Sequence, residues 1–402
     1  MSIQLFCATY DIDSCLKEIK DCFEKGWTGM GYKTEEFEEK WKTFTGFRNA
    51  YFTNSATAAL NLAVSTLKDI YEWKDGDEVI STSLTFVSTN HAILRAGLKP
   101  VFADIDETFC LDPRDVKSKI NSRTKAVMYV GFGGNTGRYE EVAELCRKNG
   151  LKLILDAAHM AGTRLDGKTP GKEADAVIYS FQAVKNLPTG DAGMLCMADA
   201  ECDRVAREKG WLGINQDTYK RSTEQAGSYK WKYDVCYLGD KYNGNSIMAA
   251  IALSQLPHLE EGNNYRRKLT DIYTNGLSDV TDYICTPRYF ENCTPSRHLF
   301  QILVPDRDGL IEYLNGRDIF PGVHYTPNTE YLMYSYGKGT CPHVEYVGAH
   351  VLSLPLHIRV TEEDAIYVAE CIKEYVLGRS NARLQLPGDW ALKGWNICRR
   401  ES

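Results

Sequence analysis

The first half of the chain alternates between two spacings of apolar residues. Short apolar runs of strand length are followed by stretches in which apolar residues recur at helical spacing, from Asn49 to about Met197. Gly97 and Gly150 come directly after two of the helical stretches, as is common at helix ends. This alternation predicts an α/β fold with a mostly parallel sheet and helices on both faces. We predict strands at 78–83, 100–105, 126–132, 151–155, 175–181 and 193–197, and helices at 54–67, 88–96 and 139–149.

The pattern changes after residue 246. Helical spacing predicts helices at 247–259, 260–277 and 362–377, with short strands between them at 298–304 and 322–324. We therefore expect a large domain at 1–246, a smaller C-terminal α+β domain at 247–377, and a tail at 378–402. Trp390 and Trp395 in the tail indicate packing rather than disorder.

Composition narrows the class of protein. Of the 402 residues, 43% are hydrophobic and 25% charged, and the net charge of −7 gives the whole protein no attraction for nucleic acid or an anionic membrane. Thirteen cysteines without a CxxC pair favour reduced thiols over disulfides or zinc, so we expect no metal. No secretory signal or bilayer-spanning apolar run is recognisable, and we expect a cytoplasmic protein.

Two charged residues follow neighbouring predicted strands. Asp156 ends the apolar run 151–155, and Lys185 follows the run 175–179 in a stretch of small and apolar residues. Ligands of parallel sheets gather at the carboxyl ends of the strands. A lysine that forms a Schiff base and an acid that pairs with the pyridinium nitrogen are what pyridoxal 5′-phosphate (PLP) needs. The alternatives are a solvated surface lysine and an aspartate that caps a turn.

Small residues at a predicted helix start offer a phosphate site. The stretch 54–59 reads Asn-Ser-Ala-Thr-Ala-Ala, and free backbone N–H groups at a helix start favour an anion. The alternative is an ordinary helix cap by Asn54 or Ser55. Ser180, five residues before Lys185, is a second phosphate candidate or a plain strand-end serine.

Two ring-bearing residues complete the candidate cofactor site. Phe86 either stacks on the pyridine ring or is a core aromatic residue. His159 either bonds the phenolic oxygen of the cofactor or is a packed, neutral histidine.

Several short motifs follow one another along the chain. They are GWT at 26–28, TNSATAAL at 53–60, GDEVI at 76–80, TFVST at 85–89, KPVFADID at 99–106, DAAH at 156–159, SFQAVKNL at 180–187, KYN at 241–243, AAIALSQL at 249–256, GVHY at 322–325 and SLPLH at 353–357. Taken in this order, the motifs resemble one family, the fold type I, PLP-dependent nucleotide-sugar aminotransferases of the DegT/DnrJ/EryC1/StrS type. The resemblance runs from about residue 10 to 376.

The resemblance implies a homodimer whose active sites are shared between subunits. It implies that Lys185 is the Schiff-base lysine and that Asp156, Phe86 and His159 contact the ring nitrogen, the ring face and the cofactor oxygen. Lys185, Asp156 and His159 would be the catalytic residues. Ala56, Thr57 and Ser180 would hold the phosphate together with Asn243 of the other subunit, and Trp27, Thr28, His324 and Tyr325 would lie near the sugar nucleotide.

The implied reaction moves an amino group from an amino acid, expected to be L-glutamate, to a nucleotide-linked keto-deoxysugar, with pyridoxamine 5′-phosphate (PMP) as an intermediate. Departures from the family pattern at 132–135, 190–193 and 244–246 concern the substrate more than the cofactor. Relatives that carry histidine in place of the lysine run a dehydration, and Lys185 argues against that branch.

Three alternatives remain open from the sequence. The same family chemistry fits a small keto compound or a cyclitol ketone as acceptor. A PLP-binding protein without turnover is a second alternative. A nicotinamide-dependent dehydrogenase ranks low, because no GxGxxG follows an early strand.

Overall fold

The structure, a computed structural model, describes residues 2–215, 233–380 and 382–391. The strands in this part of the chain are β1 (Ile3–Gln4), β2 (Tyr51–Thr53), β3 (Glu78–Ser81), β4 (Lys99–Phe102), β5 (Thr124–Val130), β6 (Lys152–Asp156), β7 (Arg164–Leu165), β8 (Ala176–Ser180), β9 (Gly193–Met197), β10 (Cys293–Thr294), β11 (Phe300–Leu303), β12 (Ile319–Phe320) and β13 (Val351–Leu354).

The helices of the same residues flank and follow these strands. They are α1 (Ile12–Glu24), α2 (Tyr32–Thr45), α3 (Ala56–Ile70), α4 (Val87–Arg95), α5 (Pro113–Lys119), α6 (Tyr139–Asn149), α7 (Ala200–Gly210), α8 (Ser246–Gln255), α9 (Leu259–Gly276), α10 (Arg307–Asn315), α11 (Pro342–His350), α12 (Glu362–Tyr375) and α13 (Gly388–Ala391). Short 3₁₀ turns cover Phe132–Gly134, Leu256–His258, Asn328–Glu330 and Leu332–Gly337, and a π turn covers Val376–Ser380. Among the described residues, no helix combines the length and the apolar character needed to cross a bilayer.

A seven-stranded sheet forms the centre of the molecule. Its strand order is β2-β9-β8-β6-β5-β3-β4. All neighbouring pairs are parallel except those of β9, which runs antiparallel to both β2 and β8. The predicted α/β class with a mostly parallel sheet is confirmed. In register, Asp156 lies opposite Val130 of β5 and Ile178 of β8, so these three strands end at one edge.

Both faces of the sheet are buried, which explains the near-continuous apolar strands. In β6, Leu153 and Leu155 pack into the core that includes Trp41 of α2, while Ile154 packs into the opposite core with α3. Successive side chains of a strand point to opposite faces, so helices on both sides are needed to cover such a run.

The C-terminal elements build a further core around β11 and β13. Residues of α9, α10 and α12 pack into it, and Ile3 near the N-terminus joins them. The division at residues 246 and 377 remains a prediction. Trp390 in the tail is fully buried and stacks on His343 at a ring separation of 4.6 Å, whereas Trp395 lies outside the described residues.

One predicted strand is wrong. Residues 322–324 form no strand; Gly322 alone exchanges backbone hydrogen bonds with Ser353, at 3.0 and 2.7 Å. The preceding strand β12 ends at Phe320, directly before Pro321. Proline has no N–H to donate to a strand ladder, so it separates the two short segments.

Candidate active site

A cavity of about 350 Å³ opens at the carboxyl ends of β6 and β8. Its position is the one that an open parallel sheet favours for a ligand. The predicted site residues that line it are Ala56, Thr57, Phe86, Asp156, His159, Ser180, Lys185, His324 and Tyr325. The fold therefore brings together residues that lie up to 269 positions apart, from Ala56 to Tyr325.

Asp156 is the last residue of β6 and is 4% exposed. Its Oδ2 accepts a hydrogen bond from the hydroxyl of Thr89 at 2.8 Å, and its Oδ1 accepts one from the N–H of Ala158 at 3.2 Å. Thr85 supports Thr89 through a hydroxyl contact of 2.8 Å. Burial raises the pKa of Asp156, although the Thr89 hydrogen bond opposes that shift. A positive partner in the cavity would favour the ionised form.

Lys185 lies in the turn after β8, and its backbone N–H donates to the carbonyl of Gln182 at 2.8 Å. The side chain forms part of the cavity wall. Burial lowers the pKa of Lys185 to about 8, against the opposing effect of the Asp156 charge. A lower pKa increases the fraction of unprotonated amine near neutral pH, which suits both a nucleophile and a proton carrier.

His298 is a site residue that the sequence did not reveal. Its Nε2 lies 3.4 Å from the Nζ of Lys185, and its Nδ1 lies 3.1 Å from the Oδ1 of Asn186. The histidine is 113 positions from the lysine and carries no motif of its own. Only the folding of the chain brings it beside Lys185.

Two asparagines fix the state of the His298 ring. Asn263 donates to the carbonyl of Ala161 at 2.9 Å, so its own oxygen faces Asn186. Asn186 donates to that oxygen at 2.7 Å and to the carbonyl of Ser296 at 2.8 Å, which turns its Oδ1 toward His298. His298 must then carry its proton on Nδ1 and present the Nε2 lone pair to Lys185. Burial and the Lys185 charge lower its pKa well below the ordinary value.

His159 lies beside His298 in the cavity wall, with the two ring centroids 4.4 Å apart. The N–H of Gly133 donates to its Nδ1 at 3.2 Å, and its Nε2 lies 3.1 Å from the hydroxyl of Tyr325. Burial, with the charge of Lys185 beside it, lowers the pKa of His159 well below its ordinary value. The neutral ring therefore donates from Nε2 to Tyr325, and the hydroxyl proton of Tyr325 is left to donate elsewhere.

The helix start at Ser55 is capped by the serine itself and borders the cavity. The Ser55 hydroxyl accepts from the N–H of Ala58 at 3.1 Å, as an ordinary cap does. The N–H groups of Ala56 and Thr57 belong to the first turn, where a helix supplies no acceptor, and both residues line the cavity. A Cβ at Gly193 would approach the backbone nitrogen of Ala56 to 2.5 Å, so only glycine lets β9 pass this close.

Phe86 is 58% exposed and lines the cavity, so it is not a core aromatic residue. Its ring lies 6.1 Å from that of Tyr325. The exposed face is available to a planar ligand. Ser180 also lines the cavity, and among the described residues its hydroxyl makes only a long contact of 3.5 Å, from the N–H of Gln182.

Three predicted residues do not line the cavity of this chain. Trp27 donates from Nε1 to the carbonyl of Met30 at 2.8 Å, and the carbonyl of Thr28 accepts from the N–H of Ser246 at 3.1 Å. Asn243 donates to the carbonyl of Gly244 at 2.9 Å. Their roles stay predictions.

Comparison with known proteins decides the family. Residues 10–373 match the DegT/DnrJ/EryC1/StrS aminotransferase family. The chain belongs to this family. It is 32% identical to the spore coat polysaccharide biosynthesis protein SpsC of Bacillus subtilis, covering 90% of this chain and 94% of SpsC. It is 31% identical to a dTDP-4-dehydro-2,3,6-trideoxy-D-glucose 4-aminotransferase of Saccharopolyspora spinosa, covering 92% and 96%.

Solved structures agree with this assignment. The aminotransferase TlmJ from Streptoalloteichus hindustanus superposes with a TM-score of 0.85 at 29% identity, covering 94% of this chain and 99% of TlmJ. The protein Spr1654 from Streptococcus pneumoniae has been solved in a PLP form, with a TM-score of 0.83 at 25% identity over 93% of this chain and 98% of that one. Its PMP form matches equally well. The fold is therefore that of the fold type I PLP enzymes, and the protein is an aminotransferase.

Proposed function

We propose that the protein transfers the amino group of an amino acid, with L-glutamate as the first candidate, to a nucleotide-linked keto-deoxysugar with PLP as cofactor. The observation that carries the proposal is the joint presence of Lys185 and Asp156 in one cavity at the ends of parallel strands. The family assignment supports turnover over a binding protein without catalysis.

The described residues fit PLP. Asp156 offers a buried carboxylate to the ring nitrogen, Phe86 an exposed aromatic face to the ring, and Lys185 an amine of lowered pKa to the aldehyde. Ala56 and Thr57 offer backbone N–H groups to the phosphate, with the Ser180 hydroxyl beside them. When bound, PLP supplies an aldehyde that accepts the amine and a cationic ring that delocalises the charge left on carbon.

The residues of the chain then position the substrates and move a proton in each half of the reaction. The Nζ of Lys185 would take the proton from the α-carbon of the donor and pass it to the cofactor carbon C4′. In the second half of the reaction, the free amine would take a proton from C4′ and deliver it to the sugar carbon that receives the amine. Thr89 and Ala158 hold the Asp156 carboxylate in place throughout, through the hydrogen bonds described above.

The neutral His298 complements this proton transfer. Its Nε2 accepts from the ammonium of Lys185, so it orients the lysine without competing for the proton. Tyr325, which accepts from His159, has a hydroxyl proton to donate to an oxygen in the cavity.

Two relatives support a sugar nucleotide as the acceptor. One is named as an aminotransferase of a dTDP-linked keto sugar, and another as a protein of spore coat polysaccharide biosynthesis. We propose that His324 and Tyr325 contact the sugar, and that Trp27, Thr28 and Asn243 reach the cavity of the partner subunit in a homodimer. A cytoplasmic location is part of the same proposal.

A panel of acceptors tests this function. Purified protein is incubated with L-glutamate and, separately, with keto-deoxysugars on dTDP, UDP and GDP, with small ketones and with cyclitol ketones. Mass spectrometry then identifies the amine. We expect an amino sugar on at least one nucleotide. Amination of a small ketone or cyclitol ketone together with failure on every nucleotide sugar contradicts the proposal.

A further inference from the structure

Arg266 on α9 is a buried cation for which the chain supplies no anion. The residue is 8% exposed. Within the described ranges, its guanidinium makes no hydrogen bond and no ion pair. Burial lowers the pKa of Arg266 to about 10. A buried charge without a partner costs several kcal/mol in general, so an arrangement of this kind calls for a bound anion.

The guanidinium lies at a small cavity that adjoins the main one. This second cavity, of about 40 Å³, shares Phe6, Val184, Lys185 and His298 with the first. None of its lining residues in the described part of the chain is an aspartate or glutamate. Lys185 and Arg266 are therefore two cations that face one space without an acid among them.

The histidines of this cavity do not change its charge balance. His357 donates from Nε2 to the carbonyl of Gln4 at 3.0 Å and accepts at Nδ1 from the N–H of Arg359 at 3.2 Å, so it is neutral. Burial lowers its pKa. His258 lies 3.5 Å from the carboxylate of Asp11, which would neutralise a positive charge on the histidine ring.

The acids of α9 do not pair with Arg266. Glu260 pairs with Arg164 at 3.0 Å, and Glu261 and Asp271 are exposed. Gly262, one turn before Arg266, leaves the space that the guanidinium uses, because a Cβ there would lie 3.1 Å from Nη1. Gly262 thus leaves room for the guanidinium, and no described residue pairs with it.

We propose that Arg266 binds a carboxylate of the amino donor. This assignment rests on the proposed function in one respect, that the donor is an amino acid. The donor's α-carbon must come close to Lys185, which lines both cavities, so a carboxylate of the same molecule reaches the adjoining space. A guanidinium binds a carboxylate through two parallel hydrogen bonds. About 40 Å³ holds one small polar group but has no room for a nucleotide diphosphate.

A binding measurement tests the proposal without turnover. Calorimetry gives the Kd of glutarate, an unreactive dicarboxylate, for the holoenzyme and for its Arg266→Met and Arg267→Met variants. Arg267 is the matched control, since it lies on the same helix and donates instead to the carbonyl of Pro295 at 2.9 Å and to Asn264. We expect Arg266→Met to raise the Kd of glutarate by about 10- to 100-fold, and Arg267→Met to raise it by less than twofold. The proposal is overturned if glutarate does not bind the wild-type protein, or if it binds the wild type and both variants with the same Kd.

The donor half-reaction distinguishes the two carboxylates of glutamate. Loss of the absorbance of the PLP form is followed with L-glutamate and with L-norvaline, which has a methyl group in place of the side-chain carboxylate. If Arg266 binds the side-chain carboxylate, Arg266→Met lowers the rate of the half-reaction with glutamate but not with norvaline. If Arg266 binds the α-carboxylate, the variant lowers the rates with both donors equally. Either result supports the proposal, and unchanged rates with both donors contradict it.

Thermal stability separates this role from a structural one. Replacement of an unpaired buried cation by methionine should leave the melting temperature unchanged or raise it. A lower melting temperature with unchanged glutarate binding would mean that Arg266 has a structural anion, and the proposal would be wrong. Failure to aminate any keto sugar would leave the glutarate result intact, so the two proposals fail independently.

Discussion

The cofactor end and the acceptor end of the cavity are built differently. At the cofactor end, Asp156 and Lys185 sit on or directly after strands of one sheet, and the register of β5, β6 and β8 sets their relation. At the acceptor end, His324 and Tyr325 line the wall, whereas Trp27 and Thr28 do not line the cavity of their own chain. We propose that the partner subunit adds only the phosphate contact of Asn243 to the cofactor end, but both Trp27 and Thr28 to the acceptor end.

The largest expected effect is at the cofactor end. Lys185→Ala removes the amine that carries the proton, so we expect turnover to fall by about 10⁴-fold or more. Steady-state rates with L-glutamate and the acceptor found in the panel measure this. Lys168→Ala, at an exposed lysine outside the cavity, is the control and should keep wild-type rates. Substantial multiple turnover by Lys185→Ala would remove the lysine from its role.

Asp156→Asn should have the next largest effect. Asparagine keeps the shape of the side chain but not the charge that would hold the ring nitrogen protonated, and we expect kcat/KM to fall by about 10²- to 10³-fold. Asp175→Asn is the control, because Asp175 pairs with Lys152 beside the opposite end of the same strands. Equal losses in the two variants would indicate damage to the sheet instead of loss of a specific charge.

The pH dependence of the second half-reaction reports on Lys185 directly. In the PMP form the lysine amine is free, and its pKa of about 8 means that the ammonium dominates at lower pH. The rate of reaction with the keto acceptor should therefore fall by about tenfold per pH unit below 8 and level off above it. Stopped-flow absorbance between pH 6 and 9.5 measures this. A flat profile, or a midpoint above pH 10, would contradict the lowered pKa.

The smallest effect is expected at the acceptor end. Trp27→Ala should raise the KM for the nucleotide sugar by about tenfold, as loss of an aromatic contact does, and leave the donor half-reaction unchanged. Phe23→Ala, at a 64% exposed position of α1, is the control. A KM unaffected by Trp27→Ala would mean that this tryptophan does not contact the acceptor, and would weaken the contrast between the two ends.

The sequence predicts the residues that carry a local signal and misses those whose contacts depend on the fold. Asp156 and Lys185 were predicted because strand spacing and the end of each apolar run are local signals. His298 was missed because its contact with Lys185 depends on a pairing across 113 residues and on the Asn186–Asn263 hydrogen bond. Arg266 was missed because helical spacing does not reveal which charged side chain lacks a partner. The strand predicted at 322–324 does not form, because Pro321 has no N–H to donate and separates these residues from β12.

One measurement tests the central claim most directly. Borohydride reduction of the holoenzyme fixes PLP on the amine that holds it, and peptide mapping by mass spectrometry locates the resulting pyridoxyl group. The account predicts a single pyridoxyl group on Lys185, which lines the same cavity as Asp156. A pyridoxyl group on another lysine, or on none, would contradict the account.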